Sequence, residues 1–204
     1  MLKHETIFLV VGESGSGKTT LCNQLSKLHG AIQLWSYTTR PARYVDEPGH
    51  HFVSSMERWR DCRPHDTVVA YTHFNGYDYW ATDAQVDNSD LYVIDPAGVE
   101  FFRKTYRGDK DIVVIYVDVS WCKRLQRMRC RGDTLLRSME RIWHDIKAFW
   151  GYKRTADFVV CNDDMQAAVQ TMWDIMYEVD GNKNKPYAGN NIPVERVNWR
   201  GANG

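Results

Sequence analysis

An α/β fold, with a parallel sheet and helices on both faces, is what this sequence predicts, and three observations carry the expectation. Four short apolar runs rich in β-branched residues, at 7–11, 91–95, 112–117 and 158–161, read as strands buried on both sides. Stretches with apolar positions at helical spacing follow or separate them, at 18–28, 121–129, 135–150 and 165–179. A glycine-rich octet joins the first strand to the first helix. Strands alternating with helices favour a parallel sheet, because each crossover must return along the sheet's face.

The octet Gly12-Glu13-Ser14-Gly15-Ser16-Gly17-Lys18-Thr19 fits G-x-x-x-x-G-K-[ST] at every position, with a strand before it and a helix after it. Its glycines let the backbone curl so that successive N–H groups face phosphate oxygens, and the following helix, entered through Thr20, adds its positive end. Lys18 reaches the outer phosphates as a point charge, and the Thr19 hydroxyl is placed to ligate Mg²⁺. Such a loop predicts binding of a nucleoside triphosphate such as ATP, and it fits kinases, GTPases and other ATPases equally.

The chain has 204 residues, a length suited to one domain with insertions. Its 26 Lys and Arg balance 26 Asp and Glu, which argues against a dedicated nucleic-acid binder. The five cysteines, Cys22, Cys62, Cys122, Cys130 and Cys161, are scattered without a C-x-x-C pair, so reduced thiols in a cytoplasmic setting are expected. No apolar run is long enough for a membrane span, and the N-terminus lacks a signal-peptide pattern. His50, His51 and His73 have no supporting carboxylate or thiol at metal-site spacing. The Asn- and Gly-rich stretch 181–204 is expected to form a flexible tail.

Residues 36–82 break the strand–helix rhythm, with many Tyr, His, Arg and Thr and short extended pieces at 51–53 and 67–71, so they read as an inserted substrate subdomain. Within it, Ser36-Tyr37-Thr38-Thr39-Arg40-Pro41-Ala42-Arg43 sets two arginines three apart beside hydroxyls. Guanidinium forks match the oxygens of a phosphate monoester.

On these residues the chain resembles the guanylate kinase family, whose T-T-R-x-x-R segment holds the acceptor phosphate. The resemblance continues in order through His50-His51-Phe52-Val53, the segment Phe74-Asn75-Gly76-Tyr77-Asp78-Tyr79-Trp80-Ala81-Thr82, Ile94-Asp95-Pro96-Ala97-Gly98-Val99, Arg127-Met128-Arg129-Cys130-Arg131-Gly132 and Asn162-Asp163-Asp164, covering about residues 6–179. It implies a P-loop kinase core, a small nucleotide-monophosphate-binding subdomain at about 36–82 and a lid at about 127–150. ATP and Mg²⁺ would serve as donor and cofactor, and the partners would be small-molecule nucleotides, not nucleic acid or membrane, bound by a monomer or homodimer.

Carried over by position, the resemblance implies that Arg40, Arg43 and Tyr79 hold the acceptor phosphate, with His50 at the position of a further phosphate ligand. Ser36 would face the base, Asp95 would stand between acceptor and metal-bound phosphates, Arg131 and Arg141 would swing in from the lid, and Asn162 would lie near adenine. Arg127 and Arg129 read instead as a solvated or salt-bridged face. The family's guanine-reading glutamate falls at Ala70, a base-contacting hydroxyl at Ala81 and a glycine at Trp80. Phosphate-gripping residues are thus kept while base-reading ones change. GMP or dGMP is the expected acceptor, read through groups such as Tyr71, Thr72, His73 or Asp78. The alternatives are another modified or deoxy nucleotide, a sugar phosphate, or a binding module without catalysis.

Overall fold

The first strand, β1 (Thr6–Val11), is buried along its whole length, and its side chains divide between two cores. Phe8 and Val10 pack with Leu21, Leu25, Val117 and Met172, while Ile7, Leu9 and Val11 pack with Tyr92, Phe102 and Val114. A strand covered on both faces needs apolar residues at every position, which is why the run does not alternate. The first core is closed by α1 (Lys18–His29) and α7 (Met165–Met176), and the second by α4 (Pro96–Thr105). The computed structural model describes residues 2, 4–74, 76–181 and 195–196.

Strands β6 (Leu91–Val93) and β7 (Asp111–Asp118) flank β1 in parallel, with Phe8 in register with Leu91 on one side and Val113 on the other. β8 (Phe158–Cys161) pairs parallel outside β7. The strand order β6-β1-β7-β8 places β1 at the point where the topology switches direction, and ligands of such sheets bind at the carboxyl ends of the strands there. The glycine octet leaves β1 at that end. Glu195–Arg196 form β9, antiparallel to β8, so part of the expected tail extends the core sheet, while 182–194 and 197–204 lie outside the described residues.

A second sheet, ordered β3-β2-β5-β4, is built from β2 (Ser36–Thr38), β3 (His50–Phe52), β4 (Val68–Phe74) and β5 (Tyr77–Thr82). One face carries a small core of Tyr37, Trp59 and Trp80, with Trp59 supplied by α2 (Met56–Cys62). The other face carries Ser36, Thr38, Thr72 and Tyr79, by the registers Thr38↔Tyr79 and Thr72↔Tyr79. Ala70 and Ala81 are register partners on that face, and both are buried in the main core against β1.

Periodicity alone does not predict α2, α3 (Asp83–Asp87) or α4. Their signals lie at the starts instead: Ser55 caps α2, Thr82 and Gln85 form a capping box on α3, and Asp95 caps α4 with Pro96 in its first turn. Residues 127–150, expected as a lid, span the end of α5 (Trp121–Cys130) and the whole of α6 (Leu135–Ala148).

Trp80 is fully buried between Tyr37 and Trp59. Trp80→Ala should destabilise the protein by about 3–5 kcal/mol in denaturant unfolding. Amide exchange should accelerate in β2 and β5 well before β1 and β7, and uniform acceleration would mean that the small sheet has no separate core.

Candidate functional site

Gly15 and Gly17 adopt left-handed backbone, at φ 79° and 91°. A Cβ at Gly15 would stand 2.8 Å from the Arg124 carbonyl, and one at Gly17 would stand 2.6 Å from the Asn162 amide nitrogen. Only glycine fits either position. The loop so formed delivers the chain into α1, whose first turn has no side-chain cap, leaving its N–H groups for a ligand.

Lys18 turns back over the loop, donating to the carbonyls of Gly12 at 2.5 Å and Glu13 at 3.1 Å. Burial pulls its pKa down to about 8. The buried Ser16 hydroxyl has no hydrogen-bond partner among the described residues. An uncapped helix start, an inward lysine and an unpartnered hydroxyl are the donor set that a chain of phosphates requires. Thr19 and Thr20 are exposed on the first turn of α1, so the Thr19 hydroxyl is free to hold a Mg²⁺ bound to those phosphates.

One cavity of about 510 Å³ is lined by Gly12, Ser14 and Lys18 on the loop side, by Ser36, His50, Thr72 and Tyr79 from the second sheet, and by Asp95. Of the predicted groups, Gly12, Ser14, Lys18, Ser36, His50, Tyr79 and Asp95 thus face one space, while Arg40, Arg43, Thr19, Arg131 and Arg141 do not line it. Asp95 both caps α4, accepting from the Gly98 N–H at 2.7 Å, and lines the cavity. Ser36 Oγ and His50 Nδ1 are 2.9 Å apart. Burial, reinforced by Arg40, drives the His50 pKa down to about 4, so its imidazole is neutral near pH 7 and the arginines carry the positive charge of this wall.

Arg40 and Arg43 converge on Glu47. Arg40 reaches its two carboxylate oxygens at 2.8 and 3.2 Å, Arg43 Nη1 lies 3.5 Å away, and the Arg43 N–H donates at 2.7 Å. Burial alone would raise the Glu47 pKa, but the hydrogen bonds from Arg40 and Arg43 hold it below the usual carboxylate range. Tyr79 stands near enough to Arg40 to help hold its guanidinium charged. Among the groups considered for base reading, Thr72 and His73 line the cavity, and Asp78 accepts from Tyr71 and pairs with His73, both at 2.8 Å.

Arg131 and Arg141, the two arginines expected on the lid, lean on one carboxylate: Arg141 Nη1 is 3.4 Å and Arg131 Nη2 is 3.9 Å from Asp133. Arg131 also feels the charge of Arg43, which places it within electrostatic reach of the Arg40–Arg43–Glu47 cluster. Asn162 is the residue that the resemblance puts near adenine. It is fully buried under the loop, donating to the Ser16 carbonyl at 2.7 Å. Arg127, expected on a solvated or salt-bridged face, instead donates to the carbonyls of Ser16 at 3.2 Å and Asn162 at 2.8 Å.

Two further residues were missed by the sequence reading. Arg124, buried on α5, donates through Nε to the Ser14 carbonyl at 2.9 Å and pairs with Glu13 at 2.6 Å and Asp145 at 2.7 Å. Asp145, buried on α6, accepts the Ser14 N–H at 2.7 Å. A carboxylate therefore sits on one of the N–H groups of the phosphate loop. No local signal marks this pair, since its members lie on separate helices and meet only through packing.

The guanylate kinase family model matches residues 4–179. Similar proteins include the guanylate kinase of Polaromonas sp., 25% identical with 84% of this chain and 86% of that protein covered. The guanylate kinase of Carboxydothermus hydrogenoformans is likewise 25% identical, over 97% of this chain and 95% of its own. A solved guanylate kinase from Anaplasma phagocytophilum superposes with a TM-score of 0.60 at 25% identity, covering 91% of this chain and 90% of its own.

An anionic ligand at the Ser14 N–H and the Asp145 carboxylate exclude one another. Asp145→Asn should therefore tighten binding of a fluorescent ATP analogue roughly tenfold, equivalent to about 1.4 kcal/mol. The same change should lower the melting temperature, because Arg124 keeps only Glu13 as a charged partner. Unchanged or weaker nucleotide binding would show that the carboxylate does not compete.

Proposed function

This chain belongs to the guanylate kinase family, and we propose that it transfers the γ-phosphoryl group of ATP to a nucleoside monophosphate, with GMP or dGMP as the acceptor. The observation that carries this reading is the single cavity with Lys18 and the glycine loop on one wall and Ser36, His50 and Tyr79 on the opposite one.

The loop N–H groups and Lys18 bind the donor phosphates. Thr19 would hold Mg²⁺, which would supply charge neutralisation to those phosphates. Arg40, Arg43 and Tyr79 hold the acceptor phosphate. Glu47 fixes the two guanidiniums side by side while using only part of their donor capacity. Arg131 and Arg141 neutralise the equatorial oxygens of the moving phosphoryl group after leaving Asp133. The acceptor phosphate is itself an anionic nucleophile, so no strong general base is required. Lining up the two substrates and excluding water supply most of the acceleration.

The Ala70–Ala81 pair favours a second reading. Methyl groups, buried in the core and outside the cavity lining, stand where the resemblance puts a base-reading carboxylate and hydroxyl, so the acceptor would be another nucleotide or a sugar phosphate. Loss of one acceptor that serves two donors lowers discrimination by roughly 10²-fold or more.

A coupled ADP-release assay with Mg·ATP and a panel of GMP, dGMP, AMP, dAMP, CMP, UMP, dTMP, IMP and ribose 5-phosphate tests both readings, with Lys18→Ala as the control. Turnover on GMP or dGMP alone supports the first reading, and turnover on another acceptor supports the second. No turnover, with Mg·ATP still unbound, favours a non-catalytic module.

The same lysine sets a pH dependence. Below about pH 8 Lys18 is cationic in the nucleotide-free protein, and above it the proton is lost. The dissociation constant for Mg·ATP should therefore rise by up to roughly tenfold per pH unit above that value. Isothermal titration between pH 6.5 and 9.5 checks this, and a flat profile would mean that Lys18 stays charged throughout.

A further inference from the structure

Helix α6 is mounted with its polar side inward. Its buried residues are Ser138 and Asp145, whereas Leu135, Leu136, Met139, Trp143 and Ile146, with Trp150 just beyond the helix end, are exposed. Trp143 is 67% and Trp150 84% accessible. Positions 136, 139, 143, 146 and 150 recur every three or four residues, so they form one continuous stripe. At 100° per residue this stripe lies roughly 140° around the helix from the Ser138–Asp145 side. Soluble helices normally point such a stripe at their own core, and a contiguous exposed patch of this kind marks an interaction surface.

We propose that the occupant of this stripe is the same helix of a second copy, packed antiparallel about a two-fold axis near Trp143. Two observations select that partner. The first is area. With about 250 Å² for a fully exposed indole and about 150 Å² for a large aliphatic side chain, the accessible fractions of the five stripe residues amount to roughly 640 Å², about four-fifths of the ~800 Å² each partner gives to a standard interface. The second is charge. Glu140 and Lys147 lie on one flank of the stripe, both exposed and, among the described residues, without a partner in this chain. In an antiparallel pair like flanks meet, so Glu140 of one copy faces Lys147 of the other, twice by symmetry. The midpoint of 140 and 147 falls beside Trp143, which is also the centre of the stripe from 136 to 150. Apolar contact and charge pairing therefore specify one register. A parallel pair would set Glu140 and Lys147 against the opposite flank, which carries Leu135 and Ile142.

Sedimentation velocity on the full chain over a concentration series tests the proposal, with no reliance on catalysis. The wild type should sediment at twice the chain mass, and Trp143→Glu should be monomeric with an unchanged far-ultraviolet spectrum. Glu140→Lys alone and Lys147→Glu alone should each weaken the dimer by about tenfold or more, and the double reversal should restore it. A monomeric wild type would overturn the proposal and assign the stripe to residues 182–204 or to another protein. A dimer indifferent to both reversals, or one not restored by the double change, would overturn the antiparallel α6 pairing.

Discussion

A loop that points its N–H groups outward at an anion turns its carbonyls back into the protein, and buried carbonyls need donors. The architecture around the glycine octet answers that requirement. Lys18 serves Gly12 and Glu13, Arg124 serves Ser14, and Arg127 and Asn162 together serve Ser16. These donors come from α1, α5 and the end of β8, so the loop holds its shape only when all three are packed. The same requirement explains why Asn162 and Arg127 are struts under the loop, and why buried charge is tolerated at Arg124, where Glu13 and Asp145 pair with it.

The opposite wall is organised around charge as well. Arg40 and Arg43 would repel each other at close range, and Glu47, caught between them, holds both in place. The Asp133 carboxylate stands in the same relation to Arg131 and Arg141. Each arginine pair is therefore held near an acidic side chain. A phosphate can take over part of that pairing without drawing a bare guanidinium from water. His50, neutral through burial, adds hydrogen bonding to Ser36 but no charge to this wall.

Helix α6 connects the two themes. Its inner side brings Asp145 to the phosphate loop and Arg141 to Asp133, and its outer side is the apolar stripe. The polar inner side is possible because it meets the loop and Arg124, where its carboxylate is fully hydrogen-bonded. The apolar outer side has no counterpart within the described residues of the chain.

The sequence by itself determined the parallel α/β core, the phosphate loop and the arginine pair that follows β2. These are written in contiguous residues: an unbroken apolar strand, a spaced octet, two arginines three apart. Periodicity missed α4, whose signal is the Asp95-Pro96 cap and not an apolar repeat. Periodicity also registered α6 as a helix but not which way it faces, because an amphipathic pattern marks a stripe without saying what lies opposite it. The tertiary structure alone decided that orientation. It also decided the meeting of Arg124 with Asp145 across 21 positions and the burial of Asn162 beneath the loop. Each depends on how separate elements pack, and packing is set by the whole core together and not by neighbours along the chain.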